Sequence, residues 1–258
     1  MKVNHEVFTQ KLLKTLLVEN PKENIIFSPM SISTSLAMIS EGARSWTLVN
    51  LLHVLGFDFK EHEVRDVHHF FLVFVQRLQQ LEREDILRHK DFLFINHHRR
   101  VNQRFLEEIQ KIYDVQVKMI DFRDKERARK EMDHAVVQKV LDRCYELITM
   151  LDPQTFLLLI NYISIRGIWQ VAFDTKLTHE ETFFVDKHKK VQVDMMRKTE
   201  RMMYSRWDDL HATMVELPYT QDLSIVLVLP DEGHFHSVLR RMDFRRDRTY
   251  YAKDMRHC

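Results

Sequence analysis

Glycine, proline and cysteine are all scarce in these 258 residues: 4 Gly, 5 Pro and 2 Cys. Typical usage is about 7% glycine and about 5% proline. The glycines stand singly at 42, 56, 167 and 233, too far apart to share a phosphate-cradling loop. That excludes the dinucleotide fingerprint and the P-loop, which need several glycines within a few residues. Cys144 and Cys258 form neither a CxxC pair nor a thiolate cage for zinc. Charge of one sign is not in excess either, since 39 Lys+Arg against 38 Asp+Glu leave a net +1. A nucleic acid or an acidic membrane engaged by the whole surface is therefore not expected as a partner. No apolar run reaches the roughly 18 residues that cross a bilayer. The N-terminal MKVNHEVFTQKLLKTLL lacks an unbroken apolar core and a small-residue cleavage site, so it does not read as a secretory leader. No N-x-S/T sequon, nucleophile elbow or HExxH motif occurs. Neither catalytic residues nor a cofactor is expected, and the chain does not read as an enzyme.

What is present is an ordinary globular composition, 45% apolar and 30% charged, in a length that suits one large domain or two small ones. Apolar spacing predicts helices over 4–18, 28–42, 45–54, 62–82, 102–112 and 123 to about 142. Ser28 and Ser31 offer hydroxyl caps to the second of these, and Pro29 is tolerated in its first turn. Its small residues Ser33, Ser35 and Ala37 suit close packing against a sheet. Ile25–Phe27 is a short β-like run. Strands are predicted at 86–95, near 113–121, and at Thr155–Ile165. The last is the most apolar stretch of the chain and fits a central strand covered on both faces. After Gly167 the sequence is β-rich, with strands at 191–196, 212–219 and 223–230. Helices with scattered strands followed by a β-dominated half indicate α+β.

Three segments carry a resemblance. NIIFSPMSISTSLAMISEGAR (24–44), LLLINYISIRGIWQVAFD (157–174) and MVELPYTQDLSIVLVLPDEG (214–233) resemble, in order and spacing, stretches of the serpin family. The first resembles the entry into buried helix B, the second the long third strand of sheet A, the third a sheet-B hairpin. The wording is similar to the secreted antitrypsin and antichymotrypsin group, over about residues 4–241. The resemblance implies the serpin architecture, helices around sheets A, B and C. It also implies descent from extracellular serine protease inhibitors. These act as suicide substrates: a cleaved reactive loop inserts into sheet A as a new strand and carries the acylated protease with it.

The resemblance also implies that Ser28, Ser31 and Asn161 lie under the centre of sheet A, where its strands part, as a shutter-like polar group. Helix capping by the serines and a routine buried amide for Asn161 remain open beside that role. Trp169 matches the breach tryptophan at the top of sheet A, with plain aromatic core packing as its alternative. Many inhibitory serpins have glycines after helix F, whereas 142–147 here reads DRCYEL, which predicts a different backbone path there. The histidine pairs 68–69 and 97–98, and His234-x-His236, have no carboxylate or thiolate at a zinc spacing in sequence. They are expected to be solvated surface histidines holding no metal. The helix matching the heparin-binding one mixes acids with few bases, so heparin is not expected. Cys144 and Cys258 are expected as free thiols.

The recognisable serpin sequence stops near Arg241. Residues 240–258 hold 7 Lys+Arg and 3 Asp+Glu, so the division expected is a partial serpin domain over 1–241, incomplete at its C-terminus, and an unrelated basic tail over 242–258. On that expectation the chain is a truncated, pseudogene-like, noninhibitory product without a reactive loop. Strand 155–167 is then an exposed sheet-A edge prone to self-association. A binding module for a small hydrophobic ligand or a protein partner is the alternative. A partial chain of a genuine inhibitor is another, with a serine protease as partner only in a longer form. Extracellular localisation follows from the resemblance alone.

Overall fold

The computed structural model describes residues 5–21, 23–57, 63–140, 151–185, 188–220, 223–241 and 256–257. The chain divides into two compact units, Met1–Arg166 and Gly167–Cys258. The first contains α1 (His5–Glu19), α2 (Pro29–Gly42), α3 (Ser45–Val54), α4 (Glu63–Arg83), β1 (Leu87–Asn96), α5 (Gln103–Tyr113), β2 (Gln116–Ile120), α6 (Lys125–Val140) and β3 (Leu157–Ile165). These strands form a sheet in the order β2-β1-β3, with β2 parallel and β3 antiparallel to β1.

Strand alternation divides the core of this unit between two faces. Leu93 and Ile95 of β1, with Leu157 and Leu159 of β3, pack under α2, α3, α4 and α5, where Ala37, Leu52, Phe71 and Tyr113 are buried. Phe92 and Phe94, with Leu158, Ile160 and Tyr162, meet Ala128, Met132 and Val136 of α6 on the other face. A strand covered on both sides reads as an unbroken apolar run, which accounts for FLFI in β1. In α4 the buried positions Val67, Phe71, Val75, Leu78 and Leu81 follow the 3.6-residue period. The small residues of α2 do what their size permits: Ser33 and Ala37 are fully buried. At Gly42 a Cβ would stand 3.0 Å from the Phe105 ring.

Two expectations change here. Ile25–Phe27 is not a strand; Ile26 is almost wholly exposed, and no described strand lies beside it to supply hydrogen bonds. The Thr155–Ile165 run forms a strand over Leu157–Ile165, but among the described residues it is the edge of its sheet and not the centre. Its residues are half-buried, with Ile165 exposed. Among the described residues no strand pairs with β3 on the side away from β1.

The second unit contains β4 (His179–Phe184), β5 (Lys190–Met195), β6 (Met203–Trp207), β7 (Ala212–Pro218), β8 (Ser224–Pro230), α7 (Phe235–Arg241) and β9 (Arg256–His257). β4 and β5 pair as an antiparallel ribbon, and the other four strands form a sheet in the order β8-β7-β6-β9. The Arg206 guanidinium on β6 forks onto Asp231 beyond β8, with Nη1–Oδ1 at 2.7 Å and Nη2–Oδ2 at 2.6 Å. Gly233 turns the chain into α7 at φ +79, a conformation L-residues resist. β4 and β6 are not among the strands expected from the sequence. Of the tail after residue 241, only Arg256–His257 is described, paired with β6. The DRCYEL segment and both cysteines lie outside the described residues.

Candidate functional site

The register of β1 against β3 sets Asp91 directly opposite Asn161. His89, two residues along β1, shares their face. The Asn161 amide donates to Asp91 Oδ1 and lies 3.2 Å from His89 Nε2. His89 Nε2 and Asp91 Oδ2 are 3.5 Å apart, and Oδ2 has no hydrogen-bond partner. Asp91 is 1% and His89 7% exposed, so ionisation of either forfeits hydration. Burial pushes the Asp91 carboxyl up to about 7, against the pull of the Asn161 hydrogen bond. Burial, helped by the neighbouring Lys90 cation, lowers His89 to about 4. Between those values both groups are uncharged, with Nε2 of His89 accepting from Asn161. The three form a neutral latch across the β1–β3 joint.

Ser28 and Ser31 lie at the start of α2, which packs on β3. Ser28 Oγ accepts from the Ser31 N–H at 3.2 Å, the N-cap expected from the sequence. Ser31 is buried. Thus the structure ties the two serines to each other and ties Asn161 to Asp91 and His89. The last two are not legible in the sequence because they lie 70 and 72 residues from Asn161 and only strand register joins them.

Trp169, in the second unit, bridges to Tyr219 and stacks on its ring at 4.6 Å and 20°. Phe173 meets the indole edge-on at 5.6 Å. Lys198 Nζ sits 4.6 Å over the Phe173 ring, donates to the Val171 carbonyl at 3.1 Å and pairs with Glu200 at 2.6 Å. This half-buried aromatic and cationic cluster tolerates no side chain at residue 167, where a Cβ would lie 2.6 Å from Tyr219 Cζ and closer still to Cδ1 and Cε1.

Of the histidines paired in sequence, His68 departs from the expected solvated surface. His68 is buried, with Nδ1 2.6 Å from the Tyr113 hydroxyl and Nε2 2.9 Å from Glu41 Oε2. The hydrogen bond to His68 lowers the Glu41 carboxyl, and burial raises the Tyr113 phenol. His236 lies exposed in α7, and His234 precedes that helix and stacks on His211 at 4.2 Å. His97 and His98 are exposed as expected, but Asp121, 23 residues on from His98, stands beside them.

Residues 3–256 match the family model described as Serpin (serine protease inhibitor). The chain belongs to the serpin family. It is 47% identical over 255 residues to uteroferrin-associated basic protein 2 of Sus scrofa, an alignment covering 99% of this chain and 61% of that protein. It is 42% identical over 256 residues to uterine milk protein of Bos taurus, covering 99% and 55%. Among solved structures, a thyroxine-binding globulin complex with thyroxine superposes with a TM-score of 0.91 at 28% identity, over 98% of this chain and 69% of that one. The chain thus spans between half and two thirds of the curated relatives it matches. In the family's terms the three-, four- and two-stranded sheets stand where serpins have sheets A, B and C. The α+β fold is that of the family, and the family is one of inhibitors and binding proteins, not enzymes.

Proposed function

We propose that this serpin-family chain acts outside the cell by binding, and does not trap proteases. Its similarity to uteroferrin-associated basic protein 2 and uterine milk protein, sustained at 40–47% identity over nearly the whole chain, carries this reading. Ser28, Ser31 and Asn161 serve in it as the shutter-like group of the first sheet, with Asp91 and His89 closing β1 onto β3. Trp169 serves as the breach-like aromatic that the family resemblance implies. Residual activity of trypsin, chymotrypsin and elastase after incubation with equimolar chain tests the proposal. Undiminished activity is expected, and stoichiometric, time-dependent loss would overturn it.

A carrier role for a small hydrophobic ligand is the second reading, favoured by the likeness to the thyroxine complex. A ligand that binds only the folded chain raises its melting temperature with concentration, and a flat response across hydrophobic ligands removes this reading.

A second copy of this chain is a further partner, favoured by the edge position of β3 among the described residues. Long apolar edges template intermolecular pairing, so light scattering is expected to show oligomers growing with concentration. A strictly monomeric chain at all concentrations contradicts this.

A further inference from the structure

We propose that His97, His98 and Asp121 form a binding site for a divalent transition-metal ion of the zinc class. The two histidines occupy the turn after β1 and Asp121 follows β2. The parallel pairing of these strands, Asn96 opposite Ile120, brings their ends together. His98 Nε2 lies 3.4 Å and His97 Nε2 3.9 Å from the same carboxylate oxygen, Asp121 Oδ2. Ligand atoms held at about 2.0–2.2 Å in a tetrahedral zinc site are separated by about 3.4 Å. The second distance exceeds that value by about 0.5 Å, and the His97 side chain that must close it is exposed. One ligand atom from each of the three residues falls within 4.8 Å of the others.

The backbone holds this arrangement without a metal. His97 N–H donates to the Ile120 carbonyl at 3.0 Å, and His98 N–H donates to Asn96 Oδ1 at 3.1 Å. Asn96 is itself buried and donates to the Thr155 carbonyl at 3.1 Å. The Arg123 N–H occupies Asp121 Oδ1 at 3.1 Å and leaves Oδ2 facing the imidazoles. Such outer contacts fix ligand orientation. Imidazole nitrogen with one carboxylate oxygen suits zinc, copper and nickel more than calcium or magnesium. Each imidazole is about two-fifths exposed, which leaves the fourth position to water. An adjoining groove carries Asp124 and Glu131, acids that offset the nearby arginines.

Zinc added to the full chain tests the site. Modification of histidines by diethylpyrocarbonate, mapped by mass spectrometry, is expected to be suppressed by zinc at His97 and His98. Competition titrations of the folded variants H98A and D121N are expected to show at least tenfold weaker zinc binding, with H234A unchanged; D121N keeps the acceptor for Arg123 N–H. Unaltered reactivity of His97 and His98 with zinc present would overturn the site, as that measurement needs no variant. Wild-type affinity in D121N would also overturn it, because Asp121 would then hold a protonated imidazole and not a metal.

Discussion

Asp91→Asn is expected to stabilise the chain at pH 8 and to leave its stability unchanged near pH 4. The Asp91 carboxyl is raised to about 7 in the folded chain from an ordinary 3.8. The unfolded chain gives up that proton first, so stability is lost as pH rises from about 4 to about 7. His89 acts in the opposite sense: lowered to about 4 from 6.5, it yields stability as pH rises from about 4 to about 6.5. In the wild-type chain the two slopes offset each other over that range. The amide substitution removes the loss, keeps an acceptor for Asn161, and places an NH2 group where the unpartnered Oδ2 stands. The offset between 3.8 and about 7 sets a ceiling of roughly 4 kcal/mol at pH 8, and a gain of about 2 kcal/mol is the expected size. Denaturant unfolding of both chains from pH 4 to 8 measures it. A variant less stable than wild type at pH 8 would show that the Asp91 charge is held by a cation after all.

Gly167→Ala is expected to cost about 3 kcal/mol in the second unit, at the high end of overpacking. The added Cβ would lie 2.6 Å from Cζ of Tyr219 and closer to two other atoms of that ring, nearer than any real contact. The ring has little room to yield because one face stacks on Trp169, the Tyr219 N–H donates to the Leu223 carbonyl and the Thr220 N–H to the Ile168 carbonyl. Tyr219→Ala removes the obstacle, so Gly167→Ala should cost much less in that background. Near-UV circular dichroism reports the stack directly. Equal costs in the two backgrounds would refute the steric account.

Much of the fold is legible in the sequence because local signals and tertiary packing agree. The Ser28 cap, the α4 stripe and the FLFI run of β1 each carry a period or capping pattern that the structure realises. Ile25–Phe27 shows the limit: a β-like run becomes a strand only with a neighbour to bond. β4 is hidden because HEETFF lies mostly exposed and lacks an apolar alternation, and β6 is short. The site is legible only in part. Asn161, Ser28, Ser31 and Trp169 are reached through family resemblance. Asp91 and His89 emerge only from antiparallel register, and Asp121 from the parallel pairing of β1 with β2. No single-chain pattern encodes contacts across 23 to 72 residues.

A serpin-family chain that binds without trapping leaves no acyl-enzyme behind. Denaturing electrophoresis with intact-mass measurement, on the full chain incubated with a panel of serine proteases, reads the acyl bond itself. Only free protease with intact or cleaved chain is expected. A denaturation-resistant adduct, at the protease mass plus that of the chain less its released fragment, would contradict it.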